Sequence, residues 1–140
     1  MVIATRDTKL GTKLPPISMQ MSLQKQKERD PLEVPGRRGI HFDKEAAARE
    51  GLSAPALSGP MVAATISRMM TMFFGEGWIK GGKILLRFIR PVTPEDFVTA
   101  KGIVKAKALE DSGMRLICDV WVENQRGEKV IVGTASGLVS

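Results

Sequence analysis

The chain has 140 residues and a mass of 15.3 kDa, which suits one domain able to bury roughly 70% of its unfolded surface. With 43% hydrophobic and 26% charged residues it has an ordinary globular composition, which argues against disorder of the whole chain. One Cys and one His exclude an internal disulfide and speak against a Cys- or His-based metal site; no metal and no separate cofactor is expected.

Twenty-one Lys and Arg against 15 Asp and Glu give a formal charge of +6. The excess sits early: residues 1–38 carry eight Lys/Arg against four Asp/Glu. A nucleic acid, a phosphorylated small molecule or plain solubility would each explain it. Five Phe and two Trp, with no Tyr, do not alternate with the cations as base-stacking platforms would, so nucleic acid ranks last. No apolar run reaches the roughly 18–20 residues of a membrane span, and the N-terminus lacks the apolar core of a signal peptide. A cytoplasmic, non-membrane protein is the expectation.

Residues 1–13 are polar and read as an N-terminal tail or first loop, ahead of a single domain over 14–140. Leu14-Pro15-Pro16 is extended, and Ile17, Met19, Met21 and Leu23 alternate onto one face of a first strand. The charged stretch from Gln24 to Arg38, broken by Pro31 and Pro35, reads as loop. A short helix follows from Asp43, its capping residue, to Gly51. After a small-residue connector, Pro60 opens a helix to about Phe74 whose only charge is Arg68. Such a helix must be wrapped by other structure. Its length of roughly 22 Å matches a sheet about five strands wide. Four glycines between 75 and 82 then break the chain.

The remainder reads as strands. Lys83–Arg90 comes first. Phe97–Leu109 follows, with Lys101, Lys105 and Lys107 on a solvated face. A turn at Asp111-Ser-Gly113 leads into a strand with Met114, Leu116, Cys118, Val120 and Val122 on one face and Arg115, Asp119 and Glu123 on the other. A second turn at Asn124–Gly127 precedes the last strand, from Val130. One strand, helices, then four strands predict an α+β fold with an antiparallel sheet curled round helix 60–74.

The segment from Ile40 to Pro60 resembles the MaoC-like acyl dehydratases, a hot-dog-fold family that includes the R-specific enoyl-CoA hydratases. His41-Phe42-Asp43 matches the H-x-D end of the family's D-x-N-P-x-H-x-D loop. Leu52, Pro55 and Gly59 fall at the family spacing before the central helix, and Arg90-Pro-Val-Thr-Pro-Glu-Asp96 resembles the segment after it. The resemblance covers roughly residues 14–139. The chain also departs from the pattern. Gly36 stands where the family has its catalytic aspartate, Arg38 and Gly39 replace its Asn and Pro, and Ser58 replaces the histidine of P-x-x-H-G. Asp30 and Glu33 are the nearest preceding carboxylates.

The resemblance implies a hot-dog enzyme acting on an acyl thioester or related carbonyl compound, by hydration, dehydration or isomerisation through an enolate. The substrate would carry coenzyme A or a phosphopantetheine arm. The alternative is a non-catalytic thioester-binding subunit paired with an intact MaoC-like partner. His41, the only imidazole, is the candidate catalytic acid or base; it reads equally as a histidine that hydrogen-bonds its loop. Asp43 reads first as a helix cap. The Gly59 N–H, at a helix N-terminus, is the candidate donor to a developing oxyanion, with Ser58 as a second donor or a cap. Arg37 and Arg38 are candidate contacts for a phosphate or carboxylate, or solvated loop charges. Met61, Met69, Met70 and Met72 read as core or as the wall of an acyl tunnel. Cys118 reads as an inert buried thiol. The helix contains no Asp or Glu, unlike hot-dog thioesterases and fatty-acid dehydratases, which place an acid there. A homodimer or higher oligomer, or a heteromer with another hot-dog subunit, is expected from open sheet edges.

Overall fold

The structure, a computed structural model, describes residues 3–22 and 59–140. The elements are β1 (Ile17–Gln20), α1 (Gly59–Phe74), α2 (Glu76–Gly81), β2 (Lys83–Phe88), β3 (Phe97–Glu110), β4 (Gly113–Glu123) and β5 (Lys129–Val139). All strand pairs are antiparallel, in the order β1-β3-β4-β5-β2. This is the five-stranded α+β hot-dog arrangement expected from the order of elements.

Alternation along the strands makes the core. Val98, Ala100 and Val104 of β3, Leu116, Cys118, Val120 and Val122 of β4, and Ile131 and Ala135 of β5 point to one face and are buried there. Against them lie Met61, Val62, Thr65, Ile66, Met69, Met70, Phe73 and Phe74 of α1. Phe73 and Phe74 meet edge to face, with ring centroids 5.0 Å apart. The sheet therefore wraps one side of the helix; Ser67, Arg68, Thr71 and Met72 on the other side are exposed. Thr65 is fully buried and returns its hydroxyl to the Val62 carbonyl at 2.7 Å. That bond satisfies a polar group which would otherwise cost about 1–3 kcal/mol in the core.

Four expectations need correction, the first being Met72, read as core or tunnel wall but 51% exposed on the side of α1 away from the sheet. The segment taken as an N-terminal tail is docked from residue 3. Ile3 and Ala4 donate their N–H groups to the Phe73 carbonyl at the end of α1, and Ala4 is buried. Gly11 and Leu14 donate to Val104 and Gly102 carbonyls, Val104 donates to Thr12, and Lys13 bridges to Ile103, so the segment extends the β3 edge past β1. The pairing runs through the backbone, which polar side chains do not oppose.

The glycines after α1 do not simply break the chain. They form α2, which packs on β5 because Gly77 and Gly81 have no side chain where Leu138 approaches; a Cβ at Gly77 would collide with the Leu138 carbonyl oxygen.

Lys107 does not share a face with Lys101 and Lys105. The β3–β4 register shifts between Val104 and Ala106, and the extra residue reverses the alternation. Lys107 thus pairs across from Leu116 and donates its Nζ to the Arg6 carbonyl at 2.7 Å. Lys101 and Lys105 remain outside, paired with Glu123 and Asp119 at 3.0 Å each.

Arg115 lies on the outer face as expected and is buried there, at 7% exposure. Its Nε donates to both Glu110 carboxylate oxygens (2.9 and 3.1 Å), and its Nη1 donates to the Gly81 carbonyl (2.7 Å) and to Ser136 Oγ (3.0 Å). The guanidinium ties the end of α2 to the sheet.

Candidate functional site

Of the expected site residues, the described chain contains Gly59. His41, Ser58, Arg37 and Arg38 lie outside the described residues, as do Gly36, Asp30, Glu33 and Asp43. What the structure positions is the start of α1 and its surroundings.

Gly59 is the first residue of α1 and is half-buried. Pro60 follows with no N–H to orphan, and Met61 and Val62 are buried beneath. The first turn contains no acidic residue, so no carboxylate of that turn neutralises the positive end of the helix dipole. The first N–H groups of a helix have no intrahelical acceptor. Phe88, the last residue of the edge strand β2, sets its ring against Gly59: a Cβ there would fall 3.0 Å from Phe88 Cε1 and 3.1 Å from Cζ. Phe88 was not singled out from the sequence, where it reads as one apolar residue among several in a strand. No periodicity tells which of these meets the helix start.

The helix carries no Asp or Glu over its observed range, so a catalytic acid on α1 is absent. Thr65, buried and bonded to its own backbone, is the polar group α1 turns toward the sheet. Cys118 is fully buried, and desolvation, with the Asp119 charge beside it, pushes its thiol up to about 12. Such a thiol supplies neither nucleophile nor metal ligand at neutral pH. Among the described residues no group of three or more His, Cys, Asp or Glu is placed to hold a metal ion. No helix among them is long and apolar enough to cross a membrane.

Among the described residues, cavities lie elsewhere. One of about 560 Å³ sits at the far end of α1, between Ala4, Phe74, Lys80 and Val139. Another, of about 300 Å³, lies on the outer face of the sheet beside Arg115.

A five-stranded antiparallel sheet folded over one long apolar helix defines a hot-dog protein. Solved structures of the MaoC-like kind share this arrangement. R-hydratase PhaJ1 from Pseudomonas aeruginosa superposes with a TM-score of 0.75 at 21% identity, over 96% of this chain and 84% of that one. The MaoC-like dehydratase from Rhodospirillum rubrum gives 0.74 at 23% identity, over 95% and 93%. The ChsH1–ChsH2 complex from Mycobacterium tuberculosis gives 0.70 at 20% identity, over 95% and 99%. No protein-family model matches the chain, and no curated protein matches it. The fold is thus the hot-dog fold of the MaoC-like hydratases and dehydratases, in agreement with the resemblance carried by residues 40–60.

Proposed function

We propose that this protein is a hydro-lyase-like or isomerase-like hot-dog enzyme that acts on an acyl thioester, or a related carbonyl compound, through an enolate. The observation that carries the reading is the start of α1: an apolar helix opened by Gly59 on the fold of the R-hydratases, with no first-turn carboxylate. Negative charge that develops on a thioester oxygen would be held by the Gly59 N–H and the helix dipole. That contact strengthens as the enolate forms, which is what lowers a barrier. In hydration, neutral His41 takes a proton from water as its oxygen bonds to C3 of a 2-enoyl group. The resulting imidazolium then returns a proton to C2 as the enolate collapses. Dehydration is the reverse, and isomerisation moves a proton between carbons through the same enolate. The acyl group would be carried by coenzyme A or a phosphopantetheine arm, whose phosphates Arg37 and Arg38 are suited to contact. We place the protein in the cytoplasm.

A second reading is favoured by Gly36, which removes a carboxylate from the pair that acid–base chemistry normally uses. In that reading the chain is a non-catalytic, thioester-binding subunit of a heteromer, and a complex of two chains is among the similar structures. Both readings share an oligomer. Along the edge strand β2 and the residue just after it, Leu85 (76% exposed), Phe88 and Ile89 present apolar surface, and the edge offers unpaired backbone to a second hot-dog subunit of the same or another kind.

The test is turnover of 2-enoyl and 3-hydroxyacyl thioesters by the isolated protein, with a thermal-shift panel of acyl-CoA compounds alongside. Turnover by the isolated chain supports the enzyme. Stabilisation without turnover supports the binding subunit. Neither response removes the acyl thioester from consideration.

A further inference from the structure

We propose that α2 is a lid: it swings away from β5 as one unit about Gly75 and Gly82, latched shut by Arg115, while the sheet stays folded. The device is separate from the helix start at Gly59 and independent of the acyl-thioester reading. Local stability follows apolar burial, and α2 has little of it. None of its six residues is buried. Ile79 is 74% exposed, Trp78 is half-buried, and the Lys80–Glu76 pair lies in solvent. A close fit to β5 comes from the missing side chains of Gly77 and Gly81, where Leu138 approaches, so contact is made without burying a large side chain of the helix. A helix this short is far below the roughly 12–15 residues needed to stand alone in water, and α2 depends on its attachments.

Those attachments are few. The backbone bonds of α2 stay within it and its flanks: Trp78 and Ile79 donate to the Gly75 carbonyl, and Gly82 donates to that of Trp78. Among the described residues no backbone bond crosses to β5, and no side chain caps the start of α2. The polar tie to the sheet is Arg115, whose Nη1 donates to the Gly81 carbonyl at 2.7 Å. Glu110 and Ser136 hold the same guanidinium, so it stays with the sheet when α2 leaves. Opening exchanges the Gly81 carbonyl for water, a small net change.

Both ends of α2 are glycines. Gly75 has φ 61° and ψ −128°, a conformation that glycine adopts freely and other residues only under strain. Gly82, extended at φ −67° and ψ 138°, hands the chain to β2. Between these hinges, Glu76, Gly77 and Lys80 form one wall of the cavity of about 560 Å³, opposite Ala4, Phe74 and Val139. When α2 swings out that wall goes with it, so the lid sets the width of the recess at the end of α1.

The experiment is native-state amide hydrogen exchange of the full-length protein, read by NMR under conditions where reclosing outpaces exchange. The amides of Trp78, Ile79 and Gly82 are expected to exchange together, at least about 100-fold faster than those of Cys118 and Val122 in β4 once intrinsic rates are removed. Val120→Ala leaves a hole in the sheet core. It is expected to speed the Cys118 and Val122 amides about tenfold or more and to leave the α2 amides unchanged, because the lid opens without the sheet. Arg115→Lys keeps the charge, drops the Nη1 donor to Gly81 and is expected to speed the α2 amides about tenfold, the worth of one net hydrogen bond. Gly75→Ala, which strains the closed hinge and leaves the sheet intact, is expected to act in the same direction. Three results would each overturn the proposal: α2 amides as slow as those of β4, α2 amides that rise by the same factor as β4 in Val120→Ala, or α2 rates unchanged in both Arg115→Lys and Gly75→Ala.

Discussion

The ring of Phe88 occupies the space in which a Gly59 side chain would begin, with Cε1 3.0 Å from the Cβ position. The first residue of the buried helix is thereby fixed against the last residue of the edge strand. Any substrate oxygen received by the Gly59 N–H would approach within reach of that ring.

The contact predicts a graded response to substitution. Phe88 is 54% exposed, so its ring can yield by a few tenths of an ångström. Gly59→Ala should therefore change stability by less than about 1 kcal/mol, whereas Gly59→Val should cost about 1–2 kcal/mol by overpacking. Phe88→Ala in the Gly59→Val background should recover most of that loss. Urea midpoints of the four proteins form the double-mutant cycle; a zero coupling energy would show that the two residues do not constrain each other.

Arg115 should separate from the surface cations. Arg115→Ala leaves the Gly81 carbonyl and Ser136 without their donor and Glu110 without its partner, and should cost about 2–4 kcal/mol. The exposed Lys80–Glu76 pair, at 3.5 Å within α2, is a control: Lys80→Ala should stay within about 0.5 kcal/mol. If both substitutions shift the denaturant midpoint equally, the α2 latch is not an anchor.

These residues mark how much could be read from the sequence. The strand faces and the limits of α1 follow from alternation and from the apolar run after Pro60, because burial of a whole face imprints directly on residue type. Arg115 was assigned to the correct face, but its burial there was not foreseen. What covers it is α2, and α2 was hidden by glycines whose role is to let Leu138 approach. Lys107 was misplaced because a one-residue bulge leaves no mark in composition. The docking of residues 3–14 was invisible because backbone atoms make it. At the candidate site, motif spacing supplied Gly59, while Phe88 enters only through three-dimensional proximity to the helix start.

Cys118 should make stability fall at high pH. Burial raises its thiol from 9.0 to about 12 in the folded chain. A raised folded value means that the unfolded chain loses its proton first. The contribution is therefore whole below about pH 9 and is lost progressively as pH rises toward 12. Cys118→Ala or Cys118→Val should flatten the decline of the Tm above pH 9 relative to the unchanged chain. At pH 8 roughly one folded molecule in ten thousand carries the thiolate, so a disulfide reagent should label Cys118 only as fast as the protein opens. Rapid labelling without denaturant would contradict the burial.

The β2 edge should carry the oligomer. Sedimentation at micromolar concentration is expected to show at least a dimer for the isolated chain, or a heteromer with a co-purifying subunit. Leu85→Lys and Ile89→Lys together place charge on the apolar edge and should shift the distribution to monomer with the fold intact by circular dichroism. An unchanged sedimentation coefficient would move the interface off this strand.

The two functional readings part at His41. If the chain is an enzyme, His41→Ala removes the only imidazole and should lower kcat by roughly 100-fold or more, the usual contribution of a positioned acid or base. Ser58→Ala should cost about tenfold or less, because the Gly59 backbone N–H would still face the substrate oxygen. If the chain is a binding subunit, His41→Ala should leave the partner's rate nearly untouched and weaken ligand affinity at most. Steady-state kinetics with an enoyl thioester, on the isolated protein and then with any co-purifying hot-dog chain, give the comparison. Equal rates for the unchanged chain and folded His41→Ala would remove histidine catalysis. The oxyanion contact at Gly59 would then be a binding feature of a chain whose chemistry belongs to its partner.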